Sequence, residues 1–142
     1  MVDPQRLRAL LARLNEKRSR LDAYAVLSAE EYLADEEKVL ASKYLLVTAI
    51  EDALSVANHV ISSEGMRSPT DYADAFRVLA AAGVLKDDLA SRLERMARFR
   101  NLLVHVYADV DDALVHRFLC TDVEDLTRFA AAVLDAYPSL GD

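Results

Sequence analysis

Turn-forming residues are scarce in this chain, which has three glycines and three prolines among 142 residues, one cysteine and no tryptophan. So little glycine and proline argues against many short strands joined by tight turns and leaves room for long helices. The lone Cys120 excludes a disulfide framework and a multi-cysteine metal site. No apolar run reaches the roughly 18 residues that a membrane span requires. The strongest, Tyr44-Leu45-Leu46-Val47-Thr48-Ala49-Ile50, stops at Glu51 and Asp52. Near the start, Arg6, Arg8 and Arg13 lie among leucines with no apolar block and cleavage site behind them. No secretory signal is therefore expected, and a cytoplasmic location follows. A glycine-rich phosphate loop, a pair of histidines at metal-ligand spacing and a nucleophile elbow are also missing.

What is present is 53% hydrophobic and 29% charged, the balance of a globular protein, in a length that suits one domain over residues 1–142. The net charge of −7 is unlike that of proteins that hold long nucleic acid nonspecifically. The charges are segregated, however. Acids gather at Glu30-Glu31, Asp35-Glu36-Glu37, residues 109–112 and residues 122–125, whereas Arg92, Arg95, Arg98 and Arg100 form a local basic run. Most such charges are expected on solvated helix faces.

The periodicity is helical throughout. Asp3-Pro4 reads as a cap followed by proline at the first helical position, and Leu7, Leu10, Leu11, Leu14 and Leu21 carry the first helix to about Leu27. Ser28 with Glu31 is a capping-box pattern. It predicts a long second helix with Leu33, Leu40, Tyr44, Val47, Ile50, Leu54, Ala57 and Ile61 inward, ending at Gly65. A third helix starts at Thr70 as the cap, with Tyr72, Phe76 and Leu79 inward, and closes at Gly83. A fourth starts near Lys86 and buries Leu89, Leu93, Met96, Leu103 and Val106. A last region, broken near Thr121, runs from about Asp111 to Tyr137, where Pro138 stops it. The expected architecture is an all-α, antiparallel bundle of four to five helices.

Chemistry concentrates in Arg98-Phe99-Arg100-Asn101-Leu102-Leu103-Val104-His105-Val106-Tyr107. At about 100° per residue, Leu89, Leu93, Met96, Leu103 and Val104 define an apolar stripe, and Arg100 projects into it with Tyr107 two turns along. A guanidinium cannot escape burial by losing its proton, so it needs an acid or a solvent-filled cleft. A structural ion pair with Glu51 or Asp52 is one account and a catalytic cleft is the other. His105 lies about 140° around the helix from Arg100, so the two converge only if the helix ends or bends there, or if a two-fold axis brings a second copy alongside. His59 and His116 stand alone and read as surface or core residues.

This segment resembles the signature of the HepT-like ribonuclease family in the HEPN superfamily. The signature is Arg100 and a polar Asn101, a spacer Leu102-Leu103-Val104, then His105, with Tyr107 two residues on. The resemblance extends over residues 22–137, through Ala49-Ile50-Glu51-Asp52-Ala53-Leu54 with Ala57-Asn58-His59, and through Ser68-Pro69-Thr70 to Gly83-Val84-Leu85. It implies a HEPN-like homodimer that cleaves RNA without a metal or cofactor. Arg100 and His105 would be catalytic, Asn101 supporting and Glu51 an orienting or neutralising acid. It also implies a toxin partnered by a cognate minimal nucleotidyltransferase antitoxin, which transfers AMP to Tyr107. The other readings are a non-catalytic HEPN nucleotide- or RNA-binding module and a structural partner of a nucleotidyltransferase.

Overall fold

Side-chain caps set most of the helix starts. In the computed structural model, which describes residues 1–106 and 109–141, Asp3 accepts from the Gln5 and Arg6 backbone N–H groups and Pro4 opens α1 (Pro4–Ala25). Ser28 and Glu31 form the reciprocal capping box, but α2 (Ala29–Leu33) lasts only five residues. Asp35 then accepts from the Lys38 N–H and starts α3 (Glu36–Ser63). The expected second helix is therefore two helices. The break expected near Thr121 falls at Asp122 and Val123, and the described residues form seven α-helices rather than four to five. The others are α4 (Tyr72–Ala81), α5 (Asp87–His105), α6 (Asp112–Thr121) and α7 (Glu124–Ala136), followed by a 3₁₀ turn, Pro138–Gly141. There is no strand among the described residues, and no helix is long and apolar enough to cross a membrane.

Helix α3 is the hub, packed by α1, α2, α4, α5 and α7. Its small residues Ala49, Ala53, Ala57 and Val60 are fully buried and let these neighbours approach closely. Around them sit Leu7, Leu14, Phe76, Leu93, Met96 and Phe129, also fully buried. Each such large side chain contributes about 1.5–3 kcal/mol of burial free energy. The inward stripe expected across the break does not hold, because Leu33, Leu40 and Tyr44 are exposed. Separating α2 from α3 resets the angular register, and Val39, Ser42, Lys43 and Leu46 take the inner face instead. Tyr72, Val104 and Val106, expected inside, are also exposed.

Three buried charged side chains, Asp52, Asp125 and Lys43, fasten the bundle through ion pairs. The buried Asp52 of α3 meets Lys17 at 3.0 Å and Arg13 at 3.6 Å, both on α1. The buried Asp125 of α7 receives Arg92 of α5 at 3.1 Å and Arg128 at 2.8 Å. Lys43 of α3 pairs with Asp112 at the start of α6.

The connection from α3 to α4 positions one wall of the site described below. Gly65, at φ +64°, turns the chain out of α3, and the Met66 N–H reaches back to the Ile61 carbonyl at 3.0 Å. Asp71, not Thr70, caps α4, accepting from the Asp74 N–H at 2.7 Å. The Asp74 carboxylate in turn receives Arg67 through two bonds of 2.6 and 3.0 Å and the Thr70 N–H at 2.9 Å. The Arg67 guanidinium first, and the Thr70 N–H second, hold the Asp74 carboxyl well below the usual carboxylate range.

A carboxyl depressed in the folded state stabilises above its unfolded value and loses that stabilisation as pH falls through the folded one. The Asp74→Asn variant should therefore melt below wild type at neutral pH. The gap should narrow as pH drops below about 4, the ordinary aspartate value. Paired thermal melts across an acid series check this, and a gap that stays constant down to about pH 2 refutes the clamp.

Candidate active site

Arg100 sits on the fourth turn of α5, on the side facing α3 and the start of α4, with its side chain 13% exposed. Glu51 of α3 is the acid that meets it, Oε2 to Nη2 at 3.5 Å. Asp52 points elsewhere and is committed to α1. The Arg100 Nη1 donates to the Asn101 Oδ1 at 3.0 Å, which fixes the fork from its own helix. The guanidinium carbon lies 5.1 Å from the centre of the Tyr72 ring, a cation–π distance. Its Nε is buried and makes no hydrogen bond within the described residues. The charge is thus held by one acid, one amide and one ring, with a donor to spare.

A cleft of about 170 Å³ opens in front of it, lined by Glu51, Leu54, Ser55, Asn58, Tyr72 and Arg100. Glu51, Ser55 and Asn58 fall on one exposed stripe of α3, three or four residues apart, which is one face of a helix. A second hollow of about 380 Å³, lined by Asn58, Pro69, Asp71 and Tyr72, shares two of those residues. An oxyanion placed in the cleft would meet a planar donor fork at short range, the arrangement suited to phosphate.

His105 is the last residue of α5 and is exposed. The helix stops where convergence with Arg100 needs it to stop, although the imidazole does not line the Arg100 cleft. Tyr107 lies outside the described residues. His116 and His59 are placed structurally. The His116 Nε2 lies 2.8 Å from the Leu27 carbonyl with its ring against Tyr32, and the His59 Nε2 is 3.4 Å from the Ser63 Oγ. Among the described residues there is no cluster of three or more His, Cys, Asp or Glu that would hold a metal ion.

Sequence reasoning missed Ser55 and misplaced Tyr72. The first was legible as the residue four after Glu51 on the same face. The second was not, because Tyr72 reaches Arg100 only through the path of the α3–α4 connection.

Comparison with known proteins bears on the family and the fold. The pattern of the family described as "Ribonuclease HepT-like" matches residues 14–133. A tRNA nuclease HepT of Aphanizomenon flos-aquae is 26% identical over 111 residues, covering 78% of this chain and 75% of that protein. An mRNA nuclease HepT of Shewanella oneidensis is 27% identical over 79 residues, 56% of this chain and 59% of that protein. Across four curated relatives the matched region spans from 54% to 80% of their length. A solved structure of a tri-AMPylated Shewanella oneidensis HEPN toxin in complex with an MNT antitoxin has the same fold. Its TM-score is 0.84 at 20% identity, covering 95% of this chain and 99% of that one. By fold, and by a family pattern running from α1 to α7, this chain belongs to the HepT-like ribonuclease family.

Proposed function

We propose that this protein is a metal-independent endoribonuclease toxin that acts in the cytoplasm as a homodimer, silenced by a nucleotidyltransferase partner. The observation that carries it is Arg100, a permanent charge 13% exposed behind a phosphate-sized cleft, whose one acidic partner among the described residues is a half-exposed Glu51. A pair this open is weak, and an incoming phosphate can replace the carboxylate. RNA supplies its own nucleophile, so the protein needs only to position and to move protons. The 2′-oxygen bonds to the adjacent phosphorus, the bond from phosphorus to the 5′-oxygen breaks, and a 2′,3′-cyclic phosphate and a 5′-hydroxyl result. His105 takes the 2′-hydroxyl proton, and the leaving 5′-oxygen gains one from water or from a second His105. Arg100 stabilises charge on the non-bridging oxygens, with Asn101 and Glu51 orienting its fork.

The dimer explains how His105 joins in. Arg100 opposite Glu51 and Asp112 opposite Lys43 show that the chain runs past α3 in the opposite sense, so His105 lies toward the Tyr44 end. That end exposes Leu40, Tyr44, Leu102, Val104, Val106 and Leu114. An apolar patch of this kind marks an interface, and a two-fold axis through it brings one His105 toward the partner's cleft. A non-catalytic binding module is the second reading, favoured by an imidazole that does not line the Arg100 cleft of its own chain. Tyr107 is the proposed acceptor of AMP, since a Shewanella relative is described as AMPylated in its antitoxin complex. The adduct would add bulk and negative charge where RNA phosphate must enter.

Both Arg100→Ala and His105→Ala should stay folded and lose RNA cleavage, His105→Ala by about 10² to 10⁴ in rate. Cleavage should persist in excess chelator. Loss of activity in chelator, restored by a divalent ion, would overturn the metal-free mechanism, and binding without cleavage by wild type would favour the second reading.

Light scattering should return about twice the 15.8 kDa chain mass, and Tyr44→Glu should give inactive monomers. A Tyr44→Glu monomer that still cleaves RNA would refute the composite site.

Incubated with its nucleotidyltransferase and ATP, the wild type should gain the mass of AMP and stop cleaving, whereas Tyr107→Phe should do neither. Intact-mass spectrometry reads both, and an equal adduct on the variant assigns the modification elsewhere.

A further inference from the structure

The hollow beside the Arg100 cleft takes no part in the chemistry above, yet it borders it through Tyr72 and Asn58. We infer that it receives a nucleobase of the RNA strand next to the phosphate held by Arg100, with Tyr72 as stacking platform and Asn58 and Asp71 reading the base edge. This assignment rests on the ribonuclease reading and supplies its substrate specificity. The volume, about 380 Å³, falls within the range of roughly 300–1,000 Å³ typical of small-ligand pockets.

Tyr72 is 51% exposed while Arg100 lies against its ring, so the aromatic spans both cavities. Bases without sequence constraint bind to such a surface because each has a π-face. Pro69 forms a further wall that offers no N–H donor. The polar groups are few. The exposed Asn58 amide, a donor and an acceptor side by side, has no hydrogen-bond partner among the described residues. One Asp71 oxygen caps α4, which leaves the other to accept.

Charge orients the nucleotide. Asp71 repels phosphate and Arg100 attracts it, so the base goes to the α4 side and the phosphate to the α5 side. A carboxylate accepts from an exocyclic amino group and is repelled by paired carbonyls, so adenine, cytosine and guanine are favoured over uracil. Asp74 holds the wall in place through Arg67 and Thr70, so this pocket exists before RNA arrives. A base must leave its duplex to enter, which directs the enzyme to single-stranded RNA.

The test uses fluorescent trinucleotides methylated at every 2′-oxygen, which bind but supply no nucleophile, together with the same trinucleotides made abasic at each position in turn. Tyr72→Ala should weaken binding by roughly 5- to 150-fold, the worth of one stacked base, whereas Tyr72→Phe should bind as wild type does. At one position, removal of the base should abolish the difference between wild type and Tyr72→Ala. Asn58→Ala should erode the preference for amino-bearing bases over uracil.

If Tyr72→Ala loses the same factor with and without a base at every position, the ring acts only by propping Arg100 and the inference fails. It also fails if wild type does not bind the trinucleotides. Cleavage of unmodified RNA, measured in parallel, separates the two readings. Cleavage with base-independent binding sinks the pocket alone, and base-dependent binding without cleavage keeps the pocket and sinks the ribonuclease.

Discussion

Five helices pack against α3, and a helix so enclosed has only one narrow strip of surface left. That strip is Leu40, Tyr44, Thr48, Glu51, Ser55, Asn58 and Ser62, spaced by three or four residues along one face. Every neighbour must fit the remaining circumference, which is why alanine and valine recur there. The strip changes character along its length, apolar toward Tyr44 and polar from Glu51 onward. One 28-residue element therefore carries both the surface suited to a second copy and the floor of the cleft. The distance between the two is fixed by helix geometry, at about 1.5 Å per residue.

The electrostatics follow from the same enclosure. Neighbouring acids on α3 have opposite fates because they differ by about 100° around the helix. Asp52 faces α1, is buried and is consumed by Lys17 and Arg13, whereas Glu51 lies on the open strip and touches Arg100 at a loose 3.5 Å. The first holds helices together. The second leaves its arginine available. An overall charge of −7 is compatible with anion capture because the attraction is local, set by one guanidinium and its immediate shell.

Much of this was legible in the sequence where chemistry is local. Asp3 with Pro4, Ser28 with Glu31, and the glycines at 65 and 83 announced their helix ends through capping and positive φ. The break near Thr121 was expected, whereas the one inside the second helical region was less visible. Asp35 restarts a helix without any glycine or proline to interrupt the apolar pattern, so Leu33, Leu40 and Tyr44 were read as one inward stripe. Two of these lie on the exposed strip of α3, where an apolar residue cannot be told from a core residue by periodicity. The pairing of Arg100 with Glu51 was available as one of two choices, because a buried guanidinium demands an acid. The role of Tyr72 was not, since it depends on the three-dimensional course of the α3–α4 connection.

The position of α5 within this enclosure gives its packed body and its C-terminal end unequal lives. Met96 and Arg100 lie where the helix is packed, and amides there should be released mainly by opening of the whole bundle. His105 ends the same helix, and terminal turns open at a small fraction of that free energy. Warming should therefore loosen the segment bearing the imidazole well before the one bearing the guanidinium. Hydrogen exchange would then divide a single helix into a slow anchor and a fast tip, and anything that covers the tip would slow that exchange without touching the core.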